Sequence, residues 1–84
     1  MNFKYIAVDL SSNRSWNWTP PRSPKNEKEF ANSMYSDLWK QGHDGGDEGF
    51  YRDYGNWQVY EAIGFELRHC GSVLSILKAQ NEPN

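Results

Sequence analysis

The sequence predicts a small α+β domain over residues 1–84, with an antiparallel sheet of three or four strands, the order hairpin, helix, helix, hairpin, and the helices on one face. Three observations point to it. Side chains alternate in a β-branched and aromatic run from Phe3 to Leu10. Phe30, Met34 and Leu38, with Tyr35 and Trp39 beside them, form a stripe at helical spacing. A third apolar region, from Trp57 to Leu77, is punctuated by Gly64 and Gly71.

Each element has a local reason. In the first strand Phe3, Tyr5 and Ala7 share one face, and Lys4, Ile6 and Val8 the other. Ser11-Ser12-Asn13-Arg14 has turn chemistry, and Trp16 and Trp18, two residues apart, put both indoles on one face of a returning strand. Pro20-Pro21 removes two backbone donors and ends it. Asn26 with Glu29 three residues later reads as a capping box, and Ser23 before Pro24 offers an alternative start one turn earlier. The helix that follows turns Lys28, Asn32, Ser36 and Lys40 outward and stops at Gly42.

The segment from Asn56 to Leu67 fits two periods. Trp57, Val59, Ile63, Phe65 and Leu67 suit a strand, with Glu61 as the exception, whereas Val59, Tyr60 and Ile63 suit a helix. Gly64 followed by Phe65 matches the glycine and hydrophobe of a Schellman ending, which favours a helix from about Asn56 to Ile63. Tyr60 to Glu66 is also similar to a helix-to-strand junction of many acetyltransferases. That resemblance implies helix followed by strand but no activity, because the glycine-rich pyrophosphate loop that would hold coenzyme A is absent. Phe65 to His69 and Ser72 to Lys78 are then expected as strands joined by a tight turn at Cys70-Gly71, with Ala79 to Asn84 a frayed tail.

Eighty-four residues suffice for one domain, whose folding buries only a little over ~60% of the unfolded chain's surface. Four Trp, five Tyr and four Phe can close so thin a core and leave some aromatic surface outside. Cys70 has no partner for an internal disulfide, no basic then apolar leader opens the chain, and the apolar run from Val73 to Leu77 is broken by Ser75. A cytoplasmic protein that does not span a membrane is expected.

The net charge of −2 conceals an uneven split. Residues 1–40 are weakly basic, while residues 41–84 carry only Arg52, Arg68 and Lys78 against seven carboxylates. Binding of duplex nucleic acid would ask for a strong basic excess, so direct nucleic-acid binding is disfavoured.

Gly42 to Asp53 gathers Asp44, Asp47, Glu48, Asp53 and His43 in what reads as a glycine-spaced loop. Its Gly45-Gly46-Asp47-Glu48-Gly49-Phe50 departs from the Gly-Gly-Asp-Glu-Phe signature of diguanylate cyclases by the insertion of Gly49, and the chain is far shorter than such a domain. The ligand spacing suits neither a calcium loop nor a zinc site, so no metal and no cofactor is expected. His69 and Cys70, adjacent on a strand, would face opposite ways and cannot act as base and nucleophile. The expectation is a non-enzymatic protein-binding module. Asp44, Asp47, Glu48 and Asp53 would meet a basic surface of a partner, with Tyr51, Tyr54 and Trp57 supplying affinity. A compact acidic, aromatic chain of this size is typical of inhibitors encoded by phages and other mobile elements, which occupy the nucleic-acid-binding surface of a host enzyme or complex. The alternative is a single-stranded nucleic-acid platform built from Arg14, Trp16, Trp18 and Arg22, where cations interleave with indoles.

Overall fold

The computed structural model describes residues 4–81. It is an α+β domain in which one antiparallel four-stranded sheet carries three helices. In chain order the elements are β1 (Tyr5–Asp9), β2 (Arg14–Trp18), α1 (Glu27–Trp39), α2 (Gly46–Tyr54), β3 (Gln58–Ile63), β4 (Glu66–Ser72) and α3 (Val73–Asn81). The sheet order is β2-β1-β3-β4. The expected hairpin, helix, helix, hairpin order is therefore present, with a third helix after it. Phe3, assigned to the first strand from sequence, lies outside the described residues.

The first hairpin forms as its residues dictate. Asp9 pairs with Arg14, and the turn between them is tied by the Asn13 N–H donating to the Asp9 carbonyl at 2.8 Å while Asn13 takes φ of 59°. The hydroxyls of Ser11 and Ser12 donate to the Asp9 carboxylate at 2.7 and 2.6 Å, holding it below the usual carboxylate range. Tyr5 opposes Trp18 and Ala7 opposes Trp16, so all four side chains lie on the face that bears the helices.

In α1 the Asn26 side chain accepts the Glu29 N–H at 2.8 Å, as an N-cap should. Ala31, Met34 and Leu38 are buried, Phe30, Tyr35 and Trp39 pack around them, and Lys28, Asn32, Ser36 and Lys40 face out. The core joins these to Ala7 and Trp18 from the first hairpin, Val59 from β3, Phe50 and Tyr54 from α2, and Val73 and Leu77 from α3. The molecule measures only 20 Å along its shortest axis, the thickness of one sheet and one helix layer. The sheet face that carries Ile6, Val8, Tyr60 and His69 is left partly open.

Four expectations are corrected, each for a local reason. Gly46–Tyr54 is a helix where a loop was expected, because Asp47 and Glu48 in its first turn and Arg52 in its last complement the helix dipole while Phe50 and Tyr54 bury one side. The segment Asn56 to Ile63 is not helical. It contains β3, whose Val59 faces the core opposite Ala7, and Gly64, with φ of 60°, opens the two-residue turn into β4 instead of capping a helix. Cys70-Gly71 is no turn either. The register passes from Tyr60 opposite His69 to Val59 opposite Gly71, which leaves Cys70 as the extra residue of a β-bulge, and Gly71 supplies the φ of 125° that the bulge needs. Ser72 to Lys78 was expected as a strand, but Val73–Asn81 is helical because Val73 and Leu77, four residues apart, drop into the core; of the expected tail Ala79 to Asn84, the first three residues end this helix and 82–84 lie outside the described residues.

Candidate functional site

The acidic segment is a built surface. Gly42 ends the α1 turn with φ of 101°, and its carbonyl accepts the Tyr54 hydroxyl at 2.6 Å, tying the start of the segment to the end of α2. Gly45 takes φ of 89° at the helix start, and the backbone then folds so closely that a Cβ on Gly49 would sit 1.4 Å from the Asp44 carbonyl oxygen. Arg52 Nη2 donates to that same carbonyl at 3.3 Å. Below lies Phe50, fully buried, with the rings of Tyr35, Trp39, Tyr51 and Tyr54 at 4.9, 5.6, 5.3 and 5.5 Å.

On this frame the sequence-predicted residues part company. Asp44, Asp47 and Glu48 are exposed, and Tyr51 is half-buried beside them. Asp47 accepts a hydrogen bond from the Tyr35 hydroxyl, which fixes it against α1. Burial first, then that bond and the Asp47 charge, push the Tyr35 phenol up to about 12. Tyr51 is raised by burial and by the same carboxylate. Asp53 falls about 120° round the helix from Asp47, away from the other three, and pairs with Arg52 at 3.3 Å. Tyr54 and Trp57 do not reach the surface: they are only 7% and 5% exposed and pack on each other at 5.2 Å between ring centres, as core side chains.

Of the Arg14 to Arg22 set, the two indoles turn inward while both arginines are exposed. Trp18 is buried and donates its indole N–H to Asp37 at 2.7 Å, and Trp16 stacks on Trp18 at 5.4 Å. The Arg14 guanidinium lies 5.4 Å over the Trp57 ring, and Arg22 sits 3.7 Å from the Glu29 carboxylate.

Among the described residues no group of three or more His, Cys, Asp and Glu is placed to hold a metal ion. His43 turns its ring onto Trp39, at 3.9 Å between centres, and lies 5.7 Å from the Phe50 ring. Burial pushes the Cys70 thiol up, so it stays protonated at neutral pH, and the neighbouring His69 is engaged with the Gln58 side chain at 2.7 Å.

Two features escaped the sequence reading. At the β3–β4 turn Phe65 is fully exposed, with Ile63 and Leu67 half exposed on either side. The only signal for it was the strand period of Ile63, Phe65 and Leu67, set aside in favour of a helix ending. The second is a cleft of about 580 Å³ lined by Tyr5, Lys25, Phe30, Arg68, Cys70 and Ile76 among others, residues from four separate elements that no local pattern could bring together.

Comparison with known proteins finds no family model, no curated protein and no solved structure that matches this chain.

Proposed function

We propose that this chain is a non-enzymatic protein-binding module whose acidic α2 surface engages a basic surface of a partner protein. The observation that supports the reading is the ordering of that surface. Asp44, Asp47 and Glu48 stand exposed on a segment pinned at Gly42 by Tyr54, at Asp44 by Gly49 and Arg52, and at Asp47 by Tyr35. A backbone held in place, with the Asp47 carboxylate itself fixed by Tyr35, forfeits little conformational entropy on binding, so the charge it carries is available for steering and register. Tyr51, alone of the three aromatics expected to supply affinity, borders them at the surface. Arg52, whose guanidinium reaches the Asp44 carbonyl, tempers the charge of this surface, which favours a partner with a defined pattern of cations over a uniformly basic one.

A basic surface of this kind is what a nucleic-acid-processing enzyme presents to its substrate. Occupying it would make the chain a cytoplasmic inhibitor of such an enzyme, the role that its size and composition suggest for a phage or mobile-element product. Binding of single-stranded nucleic acid is the weaker alternative, because Trp18 is committed to the core and Trp16 stacks on it. No helix among the described residues is long and apolar enough to cross a membrane.

The test is kinetic. With a partner isolated by affinity capture, Asp44→Asn, Asp47→Asn and Glu48→Gln together should slow association about tenfold or more at low salt and much less at high salt. Tyr51→Ala should chiefly speed dissociation. A triple variant that associates as fast as the unmodified chain at low ionic strength would remove α2 from the interface.

A further inference from the structure

The outer edge of β4 lies in a different part of the fold from the acidic α2 surface. In the order β2-β1-β3-β4 the last strand has, among the described residues, a neighbour on one side only. The Ala62 N–H donates to the Lys4 carbonyl at 2.8 Å, so the backbone groups of Ala62 face β1. Its cross-strand partner Leu67 is then a non-hydrogen-bonded position of the β3–β4 ladder, which turns the Leu67 N–H and C=O to the open edge. Glu66, Leu67, Arg68 and His69 are all exposed, so neither a helix nor a loop of the described residues covers this stretch. An uncovered edge of this length is a template for another strand.

The side chains say which strand fits. Glu66 and Arg68 flank Leu67 and share the helix-bearing face, while Leu67 shares the opposite face with His69 and, beyond the strand end, Phe65. We propose that β4 is a self-association surface on which two copies of this chain pair antiparallel about a two-fold axis at Leu67, joining their sheets into one. In that register Leu67 meets Leu67 as the hydrogen-bonded pair. Each Glu66 lies directly opposite the other copy's Arg68 in the closer, non-hydrogen-bonded pair, and each Phe65 lies opposite a His69. The strand is thus complementary to itself in charge and in apolar surface. Arg68 is already bound by Glu61 through Nε, at 3.0 Å, and Nη2, yet its side chain is 68% exposed and keeps donors free for a second carboxylate. The opposite edge, β2, is five residues long and runs into Pro20-Pro21, so pairing through β4 closes as a dimer and does not propagate.

Sedimentation equilibrium from micromolar to millimolar concentration tests this. The unmodified chain should pass from the mass of one chain to that of two. Glu66→Arg sets two guanidinium groups against each other in both flanking pairs, and Arg68→Glu sets two carboxylates there, so each variant alone should dimerise at least about tenfold more weakly. Mixed in equal amounts they should regain a heterodimer, because every opposing pair is then of opposite sign. Glu66→Arg leaves the Arg68–Glu61 contact intact and provides the arm that does not depend on it, with far-ultraviolet circular dichroism confirming its fold. A single-chain mass throughout, assembly beyond two chains, charge variants that dimerise like the unmodified protein, or a mixture that stays monomeric would each overturn the proposal.

Discussion

The two hairpins are built from similar material and use it in opposite ways. β1–β2 turns Tyr5 and Trp18 under α1, where they meet Phe30 with Trp16 stacked on Trp18, and Trp18 even gives its indole N–H to Asp37. β3–β4 buries Val59 at one end but projects Ile63, Phe65 and Leu67 beyond the helices at the other. Apolar side chains report burial only where a second layer stands over them. The same alternation that makes one hairpin a floor for the core makes the other a surface that water does not favour.

If this contrast is real, removing side chains from the covered region must be costly. Phe50→Ala should destabilise by about 3 to 5 kcal/mol and Leu38→Ala by about 2 to 5, since both are fully buried, and urea unfolding measures each. A cost under about 1 kcal/mol for both would mean that the helix layer is not packed as described. Trp18→Phe keeps most of the ring but removes the indole donor from the Asp37 carboxylate, which retains Lys40 at 3.7 Å, and should cost about 1 kcal/mol in the same assay. Phe65→Ser, on the uncovered hairpin, should change the monomer's stability by no more than about 0.5 kcal/mol. A loss like that of Phe50 would show that the tip is covered after all.

A smaller effect sharpens the picture at α2. The Tyr35 phenol stands at about 12 when folded against 10.0 for the free side chain, so the neutral phenol favours the folded state. That contribution is complete below pH 10.0 and is lost as pH rises through about 12. Asp47→Asn should lower the Tyr35 value without returning it fully to the ordinary one, because burial remains, and tyrosinate absorbance during alkaline titration reads the change.

What was legible in the sequence follows the same division. The first hairpin and α1 could be read because a two-residue period, a capping Asn26 and a broad apolar stripe each admit one interpretation. Past Gly42 the signals were glycines, and a glycine at positive φ can end a helix, make a turn or accommodate a bulge. Gly64 and Gly71 were each given the wrong one of these roles, which moved a helix onto β3 and a turn onto the Cys70 bulge. The exposure of Asp44, Asp47 and Glu48 was readable, as unpaired carboxylates must stay in water. The burial of Tyr54 and Trp57 was not, because it depends on α2 placing Tyr54 four residues from Phe50, and the glycines at 45, 46 and 49 hid that helix.

The position of β1 bears on how the chain comes to be folded. It precedes the other three strands of the sheet in chain order, yet it sits inside the sheet, between its immediate successor β2 and a strand from the far half of the sequence. Each hairpin can close locally within microseconds, but neither contains the β1–β3 seam. That seam waits on closing a loop of about half the chain, whose entropy must be spent before any of its contacts form. On the ribosome only the first hairpin can form until β3 has emerged, and until then the β1 edge that β3 will cover stays open to wrong partners.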